Sequence, residues 1–129
     1  MKALISQKDL KDLSSGVQRK VIEELDYLVS KNYEVHVIAE TINKNLVRDH
    51  GGIPVKTFKA LWGNKRLFHA KQVEKYRRKY KFDLVIGHGD IIEQDLCYIH
   101  NCVHLAHERI FGKPLPSDNE VGIMHSKIL

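Results

Sequence analysis

Ser15-Gly16-Val17-Gln18-Arg19-Lys20-Val21-Ile22-Glu23-Glu24-Leu25, followed a few residues later by Asn32-Tyr33-Glu34-Val35-His36-Val37-Ile38-Ala39, is the stretch that decides the fold. Apolar residues fall at Val17, Val21, Leu25, Leu28 and Val29, with Ile22 beside them, which is the spacing of a helix laying one face on a sheet. Ser14 or Ser15 stands where a hydroxyl caps a first turn, and Asn32 where a helix ends in a left-handed residue, a conformation asparagine tolerates. Glu34 to Ala39 is rich in β-branched residues and predicts a strand. Upstream, the apolar run Lys2 to Ser6 predicts another, joined to the helix by the polar loop Gln7 to Ser15. Strand, helix and strand make a β-α-β unit, so the sheet is parallel and its crossover right-handed.

Working outward, Gly51, Gly52 and Pro54 break the chain before a third strand, Val55 to Phe58, and Asp83 to Gly87 gives a fourth, nearly all apolar, as suits a strand covered on both faces. Cys97 to His100 is the expected fifth strand. The tail from Phe111 to Leu129 holds a Gly-Pro loop and a helix start at Glu120. The fold class is therefore α/β, a Rossmann-like open parallel sheet flanked by helices, and 129 residues accommodate a single domain. Apolar residues make up 43% and charged residues 29%, which excludes the composition of a disordered chain. No apolar run approaches the ~18 residues of a membrane span, and the apolar start is too short for a signal peptide, so the cytoplasm is the expected compartment. Two cysteines, Cys97 and Cys102, are too few for a disulfide framework and read as free packing thiols.

Lys and Arg exceed Asp and Glu by 21 to 16, a surplus that favours anionic partners. It concentrates between Lys65 and Lys81, where eight basic residues accompany one acid, Glu74. Leu67, Phe68, Val73, Tyr76 and Tyr80 give Arg66 to Tyr80 helical spacing, so the other face, with Lys71, Lys75, Arg78 and Lys79, is strongly positive. Such a face is either simply solvated or a patch for anionic lipid headgroups or a phosphorylated acceptor. Nucleic acid is not expected, because no binding motif accompanies the charge.

In an open parallel sheet, ligands bind outside the carboxyl ends of the strands. After the first strand, Ser14-Ser15-Gly16 runs into a helix N-terminus, where amides and the helix dipole favour a diphosphate and Gly16 lets it approach closely. An ordinary capped turn has the same sequence. A dinucleotide fingerprint is absent: Gly87-His88-Gly89 lacks its third glycine. After the fourth strand come His88 and Asp90, and after the fifth His100, Asn101 and His104, groups suited to acid-base work or to binding hydroxyls. Cys97, His100, Cys102, His104 and His107 do not follow a standard zinc spacing, so no metal is expected.

The stretch quoted at the outset, together with Asp83-Leu84-Val85-Ile86-Gly87 and Asp95-Leu96-Cys97-Tyr98-Ile99-His100-Asn101, resembles the family 4 retaining glycosyltransferases, particularly the bacterial lipopolysaccharide-core glucosyltransferases. The resemblance spans roughly residues 1 to 110. It implies the N-terminal half of a GT-B fold, with a nucleoside-diphosphate sugar held mainly by a C-terminal domain that lies beyond these residues, and a glycan or glycolipid acceptor held by this half. Ser15 and Gly16 would border the donor diphosphate, His100 would be the catalytic histidine, and His88, Asn101 and His104 would contact the acceptor. No cofactor beyond the nucleotide-sugar donor is implied, and the protein would sit peripherally on the inner face of the cell membrane. Two positions depart from the family pattern: Ser15 replaces its first glycine, and Asn101 stands where the core enzymes carry an aspartate. The rivals from other classes are a stand-alone Rossmann-like or receiver-like binding module, which calls for an acidic cluster that Asp9 and Asp12 alone do not supply, and a small nucleotide-binding enzyme complete in itself.

Overall fold

The computed structural model describes residues 1–88, 91 and 94–97. In chain order the elements are β1 (Lys2–Ser6), β2 (Asp9–Leu10), α1 (Gly16–Ser30), β3 (Glu34–Ala39), β4 (Thr41–Ile42), α2 (Lys44–Asp49), β5 (Ile53–Lys56), α3 (Lys65–Tyr80), β6 (Leu84–Gly87) and β7 (Leu96–Cys97). Five strands form one parallel sheet in the order β5-β3-β1-β6-β7, the arrangement of a Rossmann-like half, with α1 and α2 on one face and α3 on the other. Among the described residues no helix is long and apolar enough to cross a membrane.

Side-chain alternation along the strands builds the two layers. Ala3 and Ile5 of β1, Val35, Val37 and Ala39 of β3 and Ile86 of β6 pack against Val21, Ile22, Leu25 and Leu28 of α1 and Val47 of α2. Leu4, Ile38 and Val85 point the other way, onto Ala70 and Val73 of α3. With both faces covered, β1 is buried from Ala3 to Ser6 and reads as a continuous apolar run. The first helix ends as its sequence predicts: Ser15 Oγ accepts from the Gln18 amide at 3.1 Å, and Asn32 takes φ 66° beyond the last turn.

Three strands differ from their predicted bounds. The third is Ile53–Lys56 rather than Val55 to Phe58, because Pro54, read as a breaker, lies inside it: β5 is an edge strand with β3 as its neighbour, and an edge tolerates a residue without an N–H. The fourth starts at Leu84, since the Asp83 carboxylate instead accepts from the Lys2 amide at 2.8 Å. The fifth begins at Leu96, and Tyr98 to His100 lie outside the described residues, as does the expected tail helix. Helix α2, unpredicted, is capped by the Asn43 side chain and ends in a tight turn at Gly51, which takes φ 83°. Next to it Gly52 is required by close approach, since a Cβ there would meet Val47 Cγ1 at 2.8 Å and Leu25 Cδ1 at 2.9 Å.

Away from the carboxyl edge, α3 is fastened to the sheet by an aromatic cluster. His36 Nδ1 and the Tyr76 hydroxyl are 2.6 Å apart, His36 Nε2 and Glu34 Oε2 3.0 Å, and Phe82 meets the His36 ring edge-on at 5.0 Å between centroids. Burial, with the neighbouring Tyr80 and the Glu34 carboxylate adding to it, pushes the Tyr76 phenol up to about 12. A pKa raised by folding means the native state favours the neutral phenol. That contribution is whole below the ordinary tyrosine value near 10 and is lost as pH climbs from about 10 to about 12. The thermal midpoint of the wild type is therefore expected to fall more steeply over this window than that of Tyr76→Phe. Parallel curves for the two proteins would show that the phenol does not titrate as described.

Candidate functional site

The chain leaves β1 toward β3 on one side, while β6 lies on the other side of β1, so the strand order reverses between β1 and β6. The crevice outside the carboxyl ends of the strands at such a point is where open α/β sheets bind ligands. The loop after β1 is zipped to the loop after β3 by the small parallel ladder of β2 and β4. Leu10 is fully buried beneath it, and the Lys8 carbonyl accepts from the Glu40 and Thr41 amides at 3.0 and 3.2 Å.

From this anchored base the exposed segment Lys11 to Ser14 turns into α1. Asp12 Oδ1 accepts from the Ser14 amide at 2.8 Å, Gln18 Oε1 accepts from the Asp12 amide at 3.0 Å, and the Arg19 guanidinium donates to the Leu13 carbonyl at 3.4 Å. Hydrogen bonds from Ser14 hold the Asp12 carboxyl below its usual range, with Lys11 adding to the effect. Asp12 is thus engaged within its own turn, and Asp9 belongs to β2. Ser15 caps α1, as the sequence suggests, and Gly16 opens it at the carboxyl end of β1. A Cβ on Gly16 meets nothing within 4 Å beyond its chain neighbours and its own helix, and the first turn holds no acid. First-turn amides point out of a helix end, and since Ser15 Oγ takes the Gln18 amide, the donors left at this one are those of Gly16 and Val17, together with the positive end of the dipole.

Buried polar groups stand at or pair with the carboxyl ends of the strands. Glu40, directly after β3, is 5% exposed, and its Oε2 has no hydrogen-bond partner. A buried carboxylate oxygen without a donor is costly, and a ligand hydroxyl or amide would relieve it. His69 of α3 is fully buried between two hydroxyls, with Nε2 3.2 Å from Ser6 Oγ at the end of β1 and Nδ1 3.0 Å from Thr57 Oγ1 just past β5. His88, at the end of β6, is buried against α1, its Nε2 2.9 Å from Glu24 Oε2. Glu24, an acid on the inner side of α1, thus holds the ring from within the fold.

Of the other residues singled out in the sequence, Lys71, Lys75, Arg78 and Lys79 are all exposed on α3, remote from the α1 opening along the chain. His100, Asn101 and His104 lie outside the described residues, as do His107 and Cys102. Among the described residues no three His, Cys, Asp or Glu side chains gather in a way that could hold a metal ion. Glu40, Glu24 and His69 escaped the sequence reading. Glu40 could have been found as the acid that ends a buried apolar strand, whereas the partner of Glu24 and one of the two partners of His69 lie more than sixty residues away along the chain. Comparison of the chain with protein-family models, with curated proteins and with solved structures returns no match, so the fold and the arrangement of these residues carry the functional reading.

Proposed function

We propose that the chain is the N-terminal, acceptor-side half of a retaining GT-B glycosyltransferase. In this reading it moves a hexosyl group from a nucleoside-diphosphate sugar to a hydroxyl of a cell-envelope glycan or glycolipid such as lipopolysaccharide core. The observation that carries the reading is the N-terminus of α1, with Gly16 at the carboxyl end of β1, following a loop that also binds the backbone of Glu40, whose buried Oε2 has no hydrogen-bond partner. The family resemblance supplies the reaction class.

In this mechanism the donor diphosphate lies against Ser15 and Gly16. As the bond to the anomeric carbon breaks, negative charge grows on the diphosphate, and the α1 amides and dipole stabilise it more in the transition state than in the ground state. Glu40 accepts from a sugar or acceptor hydroxyl. His100 orients the reacting groups, with Asn101 and His104 on the acceptor. His88, oriented by Glu24, adds a further contact to the acceptor.

The test compares this chain alone with the same chain joined to the C-terminal half that the proposal requires, each given a panel of labelled nucleoside-diphosphate hexoses and envelope glycolipid. The joined protein is expected to transfer label with the anomeric configuration retained, and the 129 residues alone to transfer none. Transfer by this chain alone would refute the half-enzyme. Failure of the joined protein with every donor would refute glycosyl transfer.

A further inference from the structure

We propose that the loop Phe58 to Gly63, together with the basic face of α3, is a docking surface that inserts apolar side chains into an anionic lipid bilayer. The inference rests on this surface and is independent of the hexosyl-transfer reading. Phe58, Leu61 and Trp62 are 80%, 87% and 82% exposed. Single exposed apolar residues need no explanation, but three large ones within five positions form a patch that water disfavours. The loop that carries them is held in shape. The Phe58 amide donates to Gln72 Oε1 at 2.8 Å and its carbonyl accepts from Gln72 Nε2 at 2.9 Å, while Gly63 turns the chain at φ 78° and the Asn64 side chain caps α3. Leu61 and Trp62 therefore stand at the tip of a braced turn.

Positive charge lies beside the base of this loop and along the helix that follows it. Lys56, Lys59, Lys65, Lys71, Lys75, Arg78 and Lys79 are exposed, and Phe58 and Phe68 line one groove of ≈ 350 Å³ together with Lys56, Lys75 and Lys79. The acid of α3, Glu74, is already neutralised by Arg77 at 2.6 Å and Arg78 at 2.9 Å, which hold its carboxyl below the usual range. The partner must therefore be anionic at its surface and apolar just beneath. A bilayer with anionic headgroups meets both demands, with lysines at the headgroups and the tryptophan at the interface, where its amphipathic ring is favoured. A nucleic acid supplies phosphate but no apolar layer for Leu61.

Trp62 is the single tryptophan of the chain, so its emission reports the tip directly. On titration with phosphatidylcholine vesicles containing phosphatidylglycerol, emission is expected to shift to the blue and to be quenched by brominated acyl chains. Pure phosphatidylcholine should give neither change, and raised salt should reverse the shift, since screening acts beyond ~8 Å at physiological ionic strength. In co-sedimentation, Phe58→Ser with Leu61→Ser should weaken partitioning by about tenfold or more. Replacing Lys71, Lys75, Arg78 and Lys79 by glutamine should weaken it by up to several hundredfold, at about fivefold per basic residue near the surface. Far-UV circular dichroism should show both variants folded. An unmoved Trp62 spectrum on anionic vesicles would overturn the proposal, as would equal binding to neutral vesicles or unchanged binding by either folded variant. A longer form of the protein in which Trp62 is already blue-shifted, and stays so when vesicles are added, would show that protein covers the tip and would likewise overturn it.

Discussion

Gly16→Val is expected to lower the proposed hexosyl transfer by about 10²-fold or more while leaving the domain folded, a separation of effects that follows from the geometry of the α1 N-terminus. Removing one preorganised donor from a developing anion typically costs 10²–10³ in rate, and a branched side chain on Gly16 would hold the diphosphate away from the first-turn amides. The fold should not register the change, because a Cβ at Gly16 meets no atom within 4 Å beyond its chain neighbours and its own helix, and the residue sits at the helix entrance, outside the core. Gly16→Ala, with its smaller side chain, should fall between wild type and valine. The loss should appear chiefly in kcat, since the charge to be stabilised grows after the donor has bound. Steady-state kinetics of the joined two-domain protein, alongside thermal melts of each variant, make the comparison. Kinetics unchanged by valine at an unchanged melting midpoint would remove Gly16 from the donor site.

The parts of this arrangement that the sequence disclosed are those where local signals agree. In α1 the apolar period, the Ser15 cap and the left-handed Asn32 all mark the same boundaries, and in β3 the β-branched and apolar run from Val35 to Ala39 coincides with the buried part of the strand. Elements set by their neighbours were hidden. Helix α2 buries only Val47, so it has no apolar stripe to read, and the two-residue strands β2 and β4 exist because two loops meet. The register of β5 was misjudged because Pro54 signals a break unless the strand is known to be an edge. In α3 the helix itself was legible, but its inward stripe is His69, Ala70 and Val73, and the histidine looks polar until Ser6 and Thr57 are brought to it. The site divides in the same way. Ser15 and Gly16 announce themselves as a cap and a small residue, whereas Glu40 becomes conspicuous only once its burial is known.

His69→Ala is expected to cost about 3 kcal/mol or more, a large share of the ~5–15 kcal/mol that holds a domain of this kind together. Two effects add. Truncation leaves a cavity at a position with no solvent exposure, and it strips a polar partner from Ser6 Oγ and Thr57 Oγ1, each of which then bears part of the cost of a buried, less satisfied hydroxyl. Denaturant melts of wild type, His69→Ala, His69→Phe, Thr57→Val and the double variant separate them. His69→Phe restores the ring volume without its nitrogens, so its deficit measures the hydrogen bonds, roughly 1–3 kcal/mol. Adding Thr57→Val to His69→Phe removes one stranded hydroxyl, and the double variant should be more stable than the sum of the single losses predicts, with a coupling on the order of 0.5–3 kcal/mol. Additive losses would show that the histidine is only a filler. The consequence reaches the candidate site because Ser6 is the last residue of β1, where the loop to Gly16 departs, and Thr57 immediately precedes the loop that carries Phe58 and Trp62. One buried imidazole on α3 thus fixes the roots of both segments, and His69→Phe should loosen both, raising amide exchange in residues 7–15 and 58–63 ahead of the central strands. Exchange that rises uniformly across the sheet instead would reduce His69 to a contributor to global stability.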